Sequence, residues 1–250
     1  MINVFLFVLG AIVGSFLNVV GLRWDLLRHG GVLSTLGGRS SCPSCRKVLE
    51  WYELIPIFSF LILRGRCLSC GGKISWQYPI VELWTGLIFA TVPYIFIPVF
   101  CVYIVITIYD LRHKIIPNPL VYSAILLSLT IPLFFIHYTL LDWFSGPILF
   151  AFFASIWFLS RGRAMGFGDA KLGLSVGLLL GASQGFSAIV LAFWIGALGS
   201  LAYLFLNKID FLKNTKRLTM KSEIPFAPFI VVGAWMSLMF HLNIFHVALF

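Results

Sequence analysis

The sequence predicts an all-α polytopic membrane protein, with about eight transmembrane helices and a small cytoplasmic zinc-ribbon-like insert, on three observations. The 250 residues are 60% hydrophobic and 11% charged, with 25 Phe and 8 Trp, a balance that leaves too little polar surface for a soluble domain. The apolar runs are mostly long enough to cross a hydrocarbon core of about 30 Å as helices, and the strict alternation of barrel strands is absent. Four of the five cysteines stand as two Cys-x2-Cys pairs in the longest polar segment.

The breaks between apolar runs set the spans at Ile2 to Gly21, Ile80 to Tyr94, Ile97 to Leu111, Leu120 to Tyr138, Trp143 to Ser160, Leu172 to Ala182, Phe186 to Leu206, and Ile224 to the C-terminus. The second, third and sixth are short, and the second and third need a turn at Pro93 to Pro98. Charge supports this count. With the N-terminus outside, the inner segments Leu22 to Pro79, Arg112 to Pro119, Arg161 to Lys171 and Asn207 to Glu223 carry 8, 2, 3 and 5 Lys or Arg, all 18 in the chain. The net charge of +9 thus reports orientation and contact with anionic membrane lipid. Nucleic acid is not an expected partner, because the charges are divided among four loops. The first span lacks a basic n-region and reads as a retained helix, residues 1–21. Gly10, Gly14 and Asn18 recur on one face of it, a surface for close helix packing.

Residues 22–79 form the expected insert. Cys42, Cys45, Cys67 and Cys70 make two knuckles whose thiolates suit a tetrahedral Zn²⁺, and Gly65, Gly71 and Gly72 suit the tight turns beside the second. Two disulfides are the alternative, disfavoured in a reducing cytoplasm. A closed four-thiolate site leaves no open position, so the metal is structural. Cys101, alone in a span, reads as packing. The stretch "LIPIFSFLIL" is too short to cross and reads as a membrane-leaning surface or the insert's own core.

Two of the nine acidic residues stand apart. Asp110 ends the third span and Asp169 opens the sixth within "GFGDAKLG", both at the inner face. Ionisable groups in the membrane region are functional candidates by default. Gly173, Gly177 and Gly181 share a helix face with Asp169, a groove into which the Asp110 helix could pack. A close carboxylate pair holding one proton has aspartyl-protease chemistry: one member activates water while the other polarises a carbonyl. Gly166 and Gly168 would let the backbone turn and a substrate strand approach. The plainer alternative makes Asp169 a helix cap, pairs Asp110 with Arg112, His113 or Lys114, and leaves Lys171 to snorkel toward headgroups rather than tune the pair.

These residues resemble the bacterial type IV prepilin peptidases, membrane aspartyl proteases of the GxGD class. "GSFLNVV" at Gly14 to Val20, "CPSC", "LRGRC", "YPIVE", "DLRHKIIPN", "GFGDAKLG" and "IPFAPF" at Ile224 to Phe229 follow in family order. The resemblance implies a bacterial inner-membrane endopeptidase that removes the leader of prepilins or pseudopilins at the cytoplasmic face. It implies Asp110 and Asp169 as the catalytic pair and residues 80–250 as the protease domain. It also implies N-methylation of the new N-terminus from S-adenosylmethionine, a cofactor for which no residues can be assigned. Asn118 and Ala227 stand where the family commonly has Asp and Gly. The rival readings are an ion or proton transporter using the two carboxylates and an inactive scaffold of a pilus or secretion system; a transporter site belongs nearer the bilayer midplane.

Overall fold

The computed structural model describes residues 3–26, 38–135, 138–163, 165–210 and 225–243. Among these every extended element is helical, and backbone pairing outside helices is confined to the isolated bridges Ser41 with Val48 and Arg66 with Lys73. The helices are α1 (Val4–Leu22), α2 (Phe58–Ile62), α3 (Gln77–Thr91), α4 (Ile97–His113), α5 (Asn118–Phe135), α6 (Leu140–Ser160), α7 (Phe167–Asp210) and α8 (Ala227–Met239). Among the described residues four segments are long and apolar enough to cross a membrane: Val4–Leu22, Tyr94–His113, Leu140–Ser160 and Phe167–Ala202. Asn118–Phe134 and Ala227–Met239 are shorter apolar helices. The expected loop at residues 27–37, the inner loop beyond Asp210, Ile224 and the C-terminus past Asn243 lie outside the described residues.

The chain divides into two compact units, Met1–Ile108 and Tyr109–Phe250. In the first, α1 and α3 run antiparallel in close contact, because glycines bring their backbones together. A Cβ on Gly10 would stand 2.6 Å from Phe89 Cβ, one on Gly14 2.7 Å from Thr85 Oγ1, and one on Gly86 2.8 Å from the Phe7 ring. The small-residue stripe of α1 is therefore a packing surface. Asn18 ends it: fully buried, its Oδ1 accepts a 3.1 Å hydrogen bond from Gln77 Nε2. Glu82, which has no distinguishing signal in the sequence, is also buried, and its Oε2 accepts the Ile57 N–H at 2.8 Å, tying α2 to α3. The predicted turn between α3 and α4 is present as Val92, Pro93 and a 3-10 turn at Tyr94–Phe96.

In the second unit α7 is the centre, packing against α5, α6 and α8. The sixth and seventh expected spans have no loop between them. Gly181, at φ 72 and ψ −174, breaks the helix, a backbone region open only to glycine. A Cβ on Gly185 would stand 3.3 Å from Gly177 Cα, whereas residues eight apart in a straight helix are about 12 Å apart, so the two arms double back. Asp142 holds this reversal. Its Oδ2 accepts from Thr139 N–H (3.0 Å) and Thr139 Oγ1 (2.7 Å), while its Oδ1 accepts the Ala182 N–H at 2.9 Å, capping the second arm.

Candidate active site

Asp110 lies in the last turn of α4 and Asp169 in the first turn of α7, and both are buried, at 4% and 8% exposure. The two helix ends come together, since Ile116, six residues beyond Asp110, packs against Gly168, the neighbour of Asp169. No ion pair to either occurs among the described residues, where the one salt bridge joins Lys47 to Glu53 at 3.4 Å. Of the alternative partners Arg112, His113 and Lys114, neither Arg112 nor Lys114 is paired with Asp110, and the His113 ring lies against Tyr109 at 4.2 Å.

Each carboxylate is held by a backbone donor. Gly166 N–H donates to Asp169 Oδ2 at 3.2 Å, half of a capping box in which a glycine cannot reciprocate. Asp169 thus does cap its helix, through one oxygen. The Ala227 N–H at the start of α8 donates to Asp110 Oδ2 at 3.3 Å, within a buried setting. Pro228 follows in the first turn of α8 and has no N–H of its own. The segment "IPFAPF" supplies this contact, whose sole signal in the sequence is a small residue before proline at a helix start.

The route by which the carboxylates meet differs from the expected one. The groove of Gly173 and Gly177 is filled by α6: a Cβ on Gly173 would stand 2.6 Å from the Phe153 ring and one on Gly177 2.6 Å from Gly146 Cα. Asp110 approaches instead at the helix start, where Ile116, in the loop after α4, covers Gly168. A Cβ at Gly168 would stand 2.8 Å from Ile116 Cβ. Space, more than backbone freedom, demands glycine at 168. At Gly166 the nearest atom to such a Cβ is Asp169 Oδ2 at 3.5 Å, an ordinary contact. Lys171 neither touches the pair nor hangs free. Its Nζ donates to Asn118 Oδ1 (2.7 Å) and the Tyr122 hydroxyl (3.1 Å) and sits over the Tyr122 and Phe167 rings, fastening the start of α7 to that of α5.

The four cysteines of the insert meet as predicted. Their sulfurs all lie within 4.8 Å of one another, with Cys42 to Cys70 at 3.8 Å and Cys45 to Cys67 at 4.0 Å, and all are free thiols. Zinc–thiolate bonds of about 2.3 Å in a tetrahedron set sulfurs about 3.8 Å apart, so the spacing fits a zinc ion and not disulfides. The two knuckles repeat one another: Cys42 N–H donates to Lys47 O and Arg46 N–H to Cys42 O, as Cys67 N–H does to Gly72 O and Gly71 N–H to Cys67 O. Arg46 and Gly71 occupy the equivalent left-handed position, at φ 59 and φ 66. The Cys45 and Ser44 N–H groups pull the Cys42 thiol down to about 6, toward the thiolate a metal needs. At Cys70 the Gly72 N–H acts the same way, but the neighbouring thiols and burial outweigh it and push the group up to about 11.

The family described as Bacterial Peptidase A24 N-terminal domain matches residues 8–96, and the Type IV leader peptidase family matches residues 95–201. No solved structure is significantly similar. The chain is 28% identical to a prepilin leader peptidase/N-methyltransferase of Dickeya chrysanthemi, over 93% of this chain and 90% of that one. It is 39% identical to one of Myxococcus xanthus over 70% of this chain and 46% of that one. Likeness to the protein of that name from Bacillus subtilis reaches 35% identity over 94% of this chain and 93% of the relative. Sustained across both chains and both domains, that identity means the chain belongs to the prepilin leader peptidase/N-methyltransferase family.

Proposed function

We propose that the chain is an aspartic endopeptidase whose Asp110 and Asp169 hydrolyse the leader junction of prepilins or pseudopilins. The observation that carries this reading is the pair of buried carboxylates itself, on different helices whose ends come together where Ile116 meets Gly168, with no cation bonded to either among the described residues. Such a pair shares a proton. The ionised member takes a proton from water as the oxygen attacks the scissile carbonyl, and the protonated member hydrogen-bonds the carbonyl oxygen. Collapse of the tetrahedral intermediate breaks the C–N bond, and the departing amine takes a proton from the pair. The assignment of base and acid belongs to the pair as a whole. The Gly166 and Ala227 N–H groups each occupy one oxygen of a carboxylate and fix its orientation, leaving the other for water or substrate.

The segregation of Lys and Arg supports an inner-membrane protein with its N-terminus outside and the pair at the cytoplasmic face, where a substrate with a membrane helix would present its leader. The name shared by the relatives supports N-methylation of the new N-terminus as a second activity, for which S-adenosylmethionine is the donor implied. The four-cysteine cluster would hold a zinc ion in a structural role.

The test is cleavage of a purified prepilin by wild type, Asp110→Asn and Asp169→Asn in lipid. Each amide keeps the shape and loses the titrating oxygen, so turnover should fall at least 10³-fold, roughly what loss of a general acid–base group costs. Turnover near wild type in either folded variant would end the paired-carboxylate reading.

A further inference from the structure

The insert carries an apolar surface that neither the metal cluster nor the carboxylate pair uses. In α2 only Phe60 is buried; Phe58, Leu61 and Ile62 are 65%, 62% and 77% exposed, and nearby Trp76 is 68% exposed. Phe60 and Trp76 meet edge to face at 4.8 Å. With Leu61 and Ile74 they floor a cleft of ≈ 410 Å³ whose other walls are Arg64, Gly65, Arg66 and Lys73. None of these three cations is in an ion pair among the described residues. The segment 38–76 holds only Glu50 and Glu53 as acids, and Lys47 engages Glu53.

The position of the cleft tells what would cover it. Trp76 immediately precedes α3, whose first residue, Gln77, hydrogen-bonds Asn18 of α1. From Asn18, α1 runs on to Leu22, about 6 Å further along its axis. The cleft therefore sits level with the last turn of a membrane-spanning helix. That is headgroup depth, where tryptophan is enriched and where basic side chains meet phosphate.

We propose that this cleft binds the phosphodiester headgroup of an anionic phospholipid, with Arg64, Arg66 and Lys73 around the phosphate and Phe58 and Ile62 among the acyl chains, seating the insert on the membrane surface. The chemistry is charge on charge at the rim and apolar burial beside it, and it makes no use of the carboxylate pair.

Full-length protein in detergent, stripped of lipid, is titrated with phosphatidylglycerol, phosphatidylcholine or inorganic phosphate, and bound species are counted by native mass spectrometry. Wild type should retain phosphatidylglycerol over phosphatidylcholine, and inorganic phosphate should not displace it. The triple variant Arg64→Gln/Arg66→Gln/Lys73→Gln should bind phosphatidylglycerol roughly 100-fold more weakly, since each basic side chain at an anionic surface contributes about fivefold. Should circular dichroism show the triple variant misfolded, Arg66→Gln alone should show a smaller loss of the same sign. Phe58→Ser/Ile62→Ser should weaken retention of both lipids. Equal affinity for the two lipids, undiminished phosphatidylglycerol binding by the basic variants, or displacement by inorganic phosphate would each overturn the assignment.

Discussion

Ile116 and Gly168 make the narrowest contact near the carboxylate pair. A methyl group at Gly168 would stand 2.8 Å from Ile116 Cβ and 3.3 Å from its Cδ1 and Cγ1, too close for either backbone to stay in place. Gly168 adjoins Asp169, so the displacement falls on the carboxylate, and misplacing a catalytic group by about 1 Å costs on the order of 10²-fold. Gly168→Ala should therefore lower cleavage about 100-fold in protein that remains folded. The check is Gly168→Ala/Ile116→Gly, which removes the opposing Cβ along with the Cγ1 and Cδ1 beyond it and should recover most of the activity. A double variant as inactive as the single one would show that glycine is needed for another reason. A related exchange of charge belongs at Asn118, whose Oδ1 now accepts from Lys171 without neutralising it. Asn118→Asp would convert that bond to an ion pair on a partly exposed surface, worth at most about 1 kcal/mol, so thermal stability should rise only slightly and cleavage should change less than threefold.

At the scale of the element, the hairpin within α7 depends on one residue. Gly181 has a backbone conformation that costs an L-residue about 1–3 kcal/mol, and a Cβ there would press on Asp142 Oδ1 at 2.7 Å, the atom that caps Ala182. With loss of the cap adding about 1 kcal/mol, Gly181→Ala should destabilise the protein by about 3 kcal/mol. Asp142→Ala, which leaves the backbone unstrained, should cost this cap together with the Thr139 bonds at the start of α6, about 2 kcal/mol in all. Gly199→Ala is the control: it lies in the same helix with φ outside the positive region and its nearest neighbour, Phe229, at an ordinary 3.5 Å, so it should be neutral or stabilising by up to about 1 kcal/mol. Thermal unfolding in one detergent ranks the three, and any other order would refute this account of the turn. Hydropathy had placed a break near Ala182 because Gly181 to Gly185 is poor in large apolar residues. It could not show that one residue suffices to reverse the chain, since that depends on a side chain from α6. The same limit applied to Glu82 and Asp142, whose acceptor roles join segments 25 and 40 residues apart.

At the scale of the whole molecule, the two families meet at residues 95–96, inside the turn and first residues before α4, while the compact units divide at Ile108. The cysteine cluster lies wholly in the first unit and the carboxylates wholly in the second. Both were legible from local signals: Cys-x2-Cys spacing names its chemistry, and an aspartate at the edge of an apolar run is costly enough to stand out. The contacts that orient them were not, because Ile116 and the Ala227 N–H come from segments without distinctive chemistry of their own. This division bears on metal removal. A four-thiolate site that organises two knuckles should, when lost, unfold the insert, because the short segments 41–48 and 66–73 are otherwise held by single bridges and a few backbone bonds. The hydrogen bonds that orient Asp110 and Asp169, however, come from Ala227 and Gly166, which no element of the insert supplies. Cys45→Ser/Cys70→Ser should thus abolish bound zinc, measured by atomic absorption, and expose segment 38–76 to protease. It should leave turnover of a short soluble leader peptide within about tenfold of wild type, well short of the loss set for Asp110→Asn. A collapse of turnover as complete as that of the aspartate variants would mean that the insert takes part in forming the surroundings of Asp110 and Asp169.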